Sequence, residues 1–326
     1  MQPRIRVDTP LCFSTRTVPI PVTEFRRYPT QPFRENLMRY SADFCEREYN
    51  NRLRVPEYQQ IFSRWAEAGE QFRDLHQHDP GTHLHRAFGD ADGSQLDYFS
   101  CGVSGAPLFV FIHGGYWRSL DKHDFSWVAG PFLTAHIDVA VINYALCPKV
   151  SIEDIVHQLQ EGCVWLYRNA DALAFDRSSI TVGGHSAGAH LAAMMLCADW
   201  PNWGADLPPD LTKSAFLISG LYDLEPLLSA QFVQGDLKLD AASVTSLSAA
   251  FLSPHAGSSV ITAVGGLESD EFKRQNQLIE QHWPSHFLED IPMLGTDHFT
   301  VVDALIDPAH PLTQATITLC RKSGAA

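Results

Sequence analysis

The sequence predicts an α/β protein with a mostly parallel central sheet and helices on both faces. Two observations predict it. From about residue 100, short and continuously apolar runs alternate with helical segments, the pattern of strands whose crossover helices bury them on both sides. The 326 residues are 45% hydrophobic and 19% charged, enough apolar material for one large core, and α/β chains of this length often form a single domain.

Residues 1–80 differ from the rest. They are rich in Arg, Glu and Gln, and Phe44, Tyr49, Ile61, Phe62 and Trp65 recur at roughly helical spacing, so a helical extension is expected ahead of a domain spanning 81–326. That domain should open with an antiparallel pair, 83–88 and 95–99, because Asp92-Gly93 offers the positive φ of a hairpin turn. The parallel strands follow at 108–112, 139–142, 180–182, 216–218 and 260–264. After the second of these, Ser151 and Asp154 make a capping box with Asp in the usual Glu position, and Ile152, Ile155, Val156, Leu159 and Leu166 form a stripe facing the core. Residues 224–258, rich in Ala, Leu and Ser and followed by a strand, are expected to form small helices capping the C-terminal edge of the sheet.

Composition excludes several kinds of partner. A formal net charge of -14, with Lys and Arg scattered among more numerous acids, leaves no basic face for nucleic acid. No stretch approaches the roughly 18 apolar residues of a membrane span. Pro10, Pro19 and Pro21 interrupt the N-terminal run, so no signal segment forms and a cytoplasmic protein is expected. Cys12, Cys45, Cys101, Cys147, Cys163, Cys197 and Cys320 include no C-x-x-C pair and read as reduced core cysteines. The pairs His76/His78 and His83/His85 lack an H-E-x-x-H pattern or a carboxylate companion, so neither metal nor other cofactor is expected.

The chemistry is concentrated in three places. Gly184-His185-Ser186-Ala187-Gly188 follows the strand at 180–182 and precedes a helical run, which is G-x-S-x-G at a strand-to-helix turn. Such a turn strains the serine backbone and projects the hydroxyl above the sheet, making Ser186 the candidate nucleophile. His113-Gly114-Gly115-Tyr116-Trp117 follows the strand at 108–112, where glycines let backbone N–H groups turn inward. Gly115, Tyr116 and Ala187 are therefore the candidate donors for an oxyanion.

A general base and an acid should follow the serine in that fold, in the order Ser, acid, His. His298, in Gly295-Thr296-Asp297-His298-Phe299, occupies the base position, and His185 and His190 are expected to support the serine turn. Glu268 is the first acid after the strand at 260–264. Asp270 and Asp223 remain alternatives, the first also readable as a helix N-cap and the second as a turn former.

These motifs, with Ser219-Gly220-Leu221-Tyr222-Asp223-Leu224 and Glu268-Ser269-Asp270-Glu271-Phe272, resemble the kynurenine formamidase branch of the hormone-sensitive-lipase-like hydrolases. The likeness runs from about residue 100 to 307, and Glu46-Arg47-Glu48-Tyr49-Asn50-Asn51-Arg52 resembles the opening of bacterial relatives of that branch. Tyr116 is discriminating, since lipase-like esterases usually place a further glycine there. One departure is Glu268, where the branch usually has Asp. The resemblance implies the α/β-hydrolase fold and a metal-free Ser/acid/His enzyme that removes an N-formyl or other N-acyl group from an aromatic amine. Its partner would be a small aromatic amide or ester, with a homodimer left open. His113, Gly114, Trp117, Tyr222 and Phe299 are expected to line the substrate pocket with Tyr116. A carboxylesterase of small aryl or alkyl esters is the second reading, and a non-catalytic ligand-binding protein on the same fold the third.

Overall fold

Eight strands form one sheet in the computed structural model, which describes residues 40–323. The strands are β1 His83–Ala87, β2 Gln95–Phe99, β3 Ala106–Ile112, β4 Asp138–Ile142, β5 Phe175–His185, β6 Ser214–Ile218, β7 Ser259–Gly265 and β8 Phe287–Met293. They lie in the order β1-β2-β4-β3-β5-β6-β7-β8. β2 is antiparallel to both its neighbours, and every pairing from β4 to β8 is parallel. The N-terminal part of the expected extension, with Pro10, Cys12, Pro19 and Pro21, lies outside the described residues.

The apolar runs are continuous because both faces of the sheet are covered. Leu108, Val110 and Ile112 of β3, with Ala140 and Ile142 of β4, enter one core. The intervening Phe109, Phe111, Val139 and Val141 enter the other, as the two-residue period of a strand requires. The first core is filled by the helices Ile152–Arg168, Ala187–Leu196 and Asp270–His282. The second is filled by Tyr58–His76, Ala129–Thr134 and Pro311–Lys322. The described part of the N-terminal region is helical, at Ala42–Tyr49, Asn51–Arg54 and Tyr58–His76. The last of these buries Ile61 and Trp65, one turn apart, against the sheet.

Local signals act as the residues suggest. Gly93 takes φ +78 in the β1–β2 turn, and a Cβ there would meet the Tyr144 carbonyl carbon at 2.5 Å. Ser151 Oγ accepts from the Asp154 N–H at 3.1 Å and Asp154 returns the bond to the Ser151 N–H at 2.8 Å, so Asp completes the box without the longer Glu. Residues 224–258 contain the 3-10 turn Glu225–Ser229, the helices Gln231–Leu237 and Ala241–Leu247, and the 3-10 turn Ala249–Phe251. Two elements differ from expectation: β5 begins at Phe175 rather than Ile180, and β8 adds an exposed edge strand, after which the chain forms the 3-10 helix Thr300–Ile306. Among the described residues no helix is long and apolar enough to cross a membrane.

Topology fixes where a ligand can sit. β3 and β5 are neighbours, yet the chain leaves β3 toward β4 on one side and leaves β5 toward β6 on the other. Loops departing in opposite directions open a crevice at the C-terminal ends of these two strands.

Candidate active site

Ser186 stands at that crevice, between β5 and the helix Ala187–Leu196, with φ 57 and ψ -120. This backbone is disfavoured for a residue with a Cβ, and packing on both sides holds it. The Ser186 N–H donates to the Ile218 carbonyl at 2.8 Å. A Cβ on Gly188 would lie 2.0 Å from the Ile112 carbonyl oxygen, and one on Gly184 would lie 2.5 Å from that same oxygen. Both glycines of G-x-S-x-G are thus required by the close approach of β3.

His298 follows β8 in a turn that Asp297 ties, its Oδ1 accepting from the N–H groups of Phe299 and Thr300 at 2.8 and 2.9 Å. The His298 Nε2 lies 3.0 Å from Ser186 Oγ, and its Nδ1 lies 2.7 Å from Glu268 Oε2. A carboxylate can only accept, so Nδ1 carries the proton and Nε2 accepts from the serine hydroxyl. The other carboxylate oxygen, Oε1, accepts from the Gly265 N–H at 2.7 Å and from the Ser219 hydroxyl. Ser186, His298 and Glu268 are all buried. The two alternative acids are placed elsewhere: Asp223 accepts from the Glu225 N–H and faces Arg274, and Asp270 is exposed in the first turn of its helix. The N-cap of that helix is Ser269 rather than Asp270, because Ser269 Oγ accepts from the Phe272 N–H at 3.2 Å.

His185 and His190 have different tasks. His185 Nε2–H donates to the His298 carbonyl at 2.6 Å, anchoring the loop that carries His298, and burial together with the adjacent His298 pushes its pKa well below the usual range. His190 points away, bonding the Leu247 carbonyl at 2.8 Å and packing edge-on against Trp117.

The loop after β3 turns sharply, with Gly115 at φ 107, Tyr116 at φ 51 and Trp117 at φ 57. Its carbonyls are drawn away from the crevice. The Tyr144 hydroxyl donates to the His113 carbonyl at 2.9 Å, and His113 Nδ1–H donates to the Gly114 carbonyl at 2.9 Å. Among the loop and cap hydrogen bonds of the described residues, the N–H groups of Gly115, Tyr116 and Ala187 have no acceptor.

A narrow cavity contains Ser186 and His298, with Gly115, Tyr116 and Phe299 among its walls. The expected pocket needs correction at His113, Gly114, Trp117 and Tyr222. All four are buried and none lines the cavity: His113, Gly114 and Trp117 are turned inward within the loop after β3, and Tyr222 within the chain after β6. The walls come instead from Phe62 and Trp65 of the helix Tyr58–His76 and from Phe232 of the 224–258 region. Ser219, the first residue after β6, stands in the Ser219-Gly220-Leu221-Tyr222-Asp223-Leu224 motif, but nothing in that motif by itself marks its hydroxyl as a partner of Glu268.

One group of potential metal ligands gathers outside this site, where His85, Asp97 and His123 converge. Lys122 Nζ lies among them, 2.8 Å from Asp97 Oδ1 and 2.8 Å from His123 Nε2. The ammonium takes the place a cation would occupy.

The chain is 32% identical over 269 residues to a kynurenine formamidase of Salmo salar, covering 79% of this chain and 87% of that one. It belongs to the kynurenine formamidase branch of the hormone-sensitive-lipase-like α/β-hydrolases. The family model BD-FAE matches residues 100–200, which hold the loop after β3 and the turn at Ser186. Among solved structures, a candidate thioesterase from Silicibacter sp. is 31% identical with a TM-score of 0.73, covering 83% of this chain and 97% of that one. The esterase LipC of Mycobacterium tuberculosis matches more locally, at 29% identity over 36% of this chain and 30% of that one. As a member of the formamidase branch, the protein is a serine-type hydrolase acting on amides or esters.

Proposed function

We propose that this hydrolase removes an N-formyl or small N-acyl group from an aryl amine, without metal, through an acyl-enzyme on Ser186. The observation that carries the reading is the Ser186–His298–Glu268 chain opening into a cavity walled by Tyr116, Phe62, Trp65 and Phe232, in a member of a branch whose named relatives are kynurenine formamidases. His298 Nε2 takes the hydroxyl proton as Ser186 Oγ attacks the carbonyl carbon, and Glu268 stabilises the imidazolium. The N–H groups of Gly115, Tyr116 and Ala187 receive the negative charge on the former carbonyl oxygen, a role worth a few kcal/mol in a dry site. His298 then protonates the amine nitrogen, the C–N bond breaks, and water deacylates the serine by the reverse sequence of proton transfers.

An arylamine suits this machinery because its nitrogen lone pair is shared with the ring, which eases departure, and its ring packs on the aromatic walls. The test is a panel of aryl formamides, aryl acetamides and acyl esters of graded chain length. Higher kcat/KM on the aryl amides than on long-chain esters is expected. Strong hydrolysis of medium-chain esters with no aryl-amide cleavage would replace this reading with a carboxylesterase.

A further inference from the structure

One wall of the cavity is made by three consecutive residues, Asn50, Asn51 and Arg52, at the start of the short helix Asn51–Arg54. Arg52 is partly buried, and its guanidinium lies 5.3 Å from the Tyr58 ring centre and 5.8 Å from that of Phe62. Its hydrogen bond is to a neutral group, Ser119 Oγ at 3.0 Å, and that hydroxyl in turn donates to the Gly115 carbonyl of the oxyanion loop. Among the described residues no carboxylate lies within ion-pair distance of Arg52. Arg118, also on the cavity wall, differs in being paired with Asp236. Asn51 is buried, and its Nδ2 has no hydrogen-bond partner among the described residues.

A positive charge partly withdrawn from water without a counter-ion, next to a buried amide donor left unsatisfied, is costly, and both costs are relieved when an anion with acceptor oxygens enters. Burial and the neighbouring Arg118 both disfavour the charged form of Arg52, which an anion would relieve. The cavity wall contains two arginines and no Asp or Glu, in a chain whose formal net charge is -14. A guanidinium is planar and presents paired N–H donors, the match for a carboxylate.

We propose that Arg52 and Asn51 bind a carboxylate on the substrate, so that the hydrolase selects acidic aryl substrates over neutral ones of the same shape. The inference rests on the serine-hydrolase reading of the cavity and names a specificity determinant for it. Because the acyl group in that reaction is small, the carboxylate belongs to the aryl part that leaves.

The test uses esters, so that it does not depend on amide cleavage. The kcat/KM for 3- and 4-carboxyphenyl acetate is divided by that for the corresponding carbamoylphenyl acetate, which is neutral and nearly isosteric. The wild-type ratio should exceed about 10 for at least one ring position, and Arg52→Met should bring it near 1. Arg52→Gln serves as the second uncharged variant should the Met variant fail to fold. Thermal shift by benzoate against benzamide reads the same site without turnover: benzoate should raise the wild-type Tm more, and the difference should disappear in the variant. Wild-type ratios at or below 1 at both positions, or a preference unchanged in both variants, would overturn the proposal. Acid-selective ester cleavage without aryl-amide cleavage would retain this proposal while removing the amidase reading.

Discussion

Glu268 reaches His298 Nδ1 with one carboxylate oxygen at 2.7 Å, while the other oxygen is held by the Gly265 N–H and the Ser219 hydroxyl. With both oxygens occupied, the carboxylate is fixed in direction as well as position. The extra methylene of Glu relative to Asp is taken up by the turn, in which the Glu268 N–H bonds the Gly265 carbonyl at 3.0 Å.

From this follows the behaviour of the acid. Glu268→Gln should lower kcat by on the order of 10³ to 10⁴, because the amide presents either a donor to Nδ1–H or the wrong tautomer to the serine. Ser219→Ala, which frees Oε1 on one side, should cost about tenfold. Asp223→Asn and Asp270→Asn should stay within a few-fold of wild type. Steady-state kinetics on one aryl ester decide this, and a larger loss from either aspartate than from Glu268→Gln would relocate the acid.

Ser186 carries a backbone of φ 57 and ψ -120, a conformation that costs roughly 1–3 kcal/mol with a Cβ present. Ser186→Gly should therefore be more stable than Ser186→Ala by about that amount, while both should be inactive. Urea midpoints of the two variants make the comparison. A glycine variant less stable than the alanine variant would mean that the turn is not strained.

Acid should destabilise the fold through its buried histidines. Burial lowers the pKa of His190 from 6.5 to about 4, and burial lowers those of His113 and His185 as well. The folded state keeps these rings neutral while the unfolded chain protonates them below about pH 6.5, so the unfolded state binds more protons there. Their contribution is complete above pH 6.5 and is lost as the pH falls, His190 alone accounting for about 3 kcal/mol by the time its folded pKa is reached. Urea midpoints between pH 8 and pH 4.5 should fall most steeply below pH 6.5, and less steeply in His190→Gln. A variant with the same slope as wild type would contradict this assignment.

Much of the centre of the molecule was legible in the sequence, because there local pattern and tertiary demand agree. The strands β3, β4 and β6 are continuously apolar since both faces are buried, and Gly184 and Gly188 punctuate the serine turn because β3 passes too close for a side chain. At the edge the pattern fails. β8 exposes Leu288, Glu289 and Asp290 and contains Pro292, so its residues lack the alternation or apolar run of an inner strand. The pocket was less legible still. Trp117 and Tyr222, next to the motifs in sequence, are turned into the core, whereas Phe62 and Trp65 reach the cavity from a helix more than a hundred residues before the serine. Motif position in the chain pointed to Ser186, His298 and Glu268, which the fold brings together, but which aromatic faces the cavity depends on long-range packing that no local spacing encodes.

The central claim is that Ser186 is the nucleophile, and covalent labelling tests it most directly. Treating the protein with a fluorophosphonate and locating the adduct by peptide mass spectrometry should place one modification on Ser186, with loss of activity in proportion to labelling. Ser186→Ala should take no label, and His298→Ala should label far more slowly. Adduct on another residue, or an unlabelled wild-type enzyme that still turns over substrate, would contradict the account.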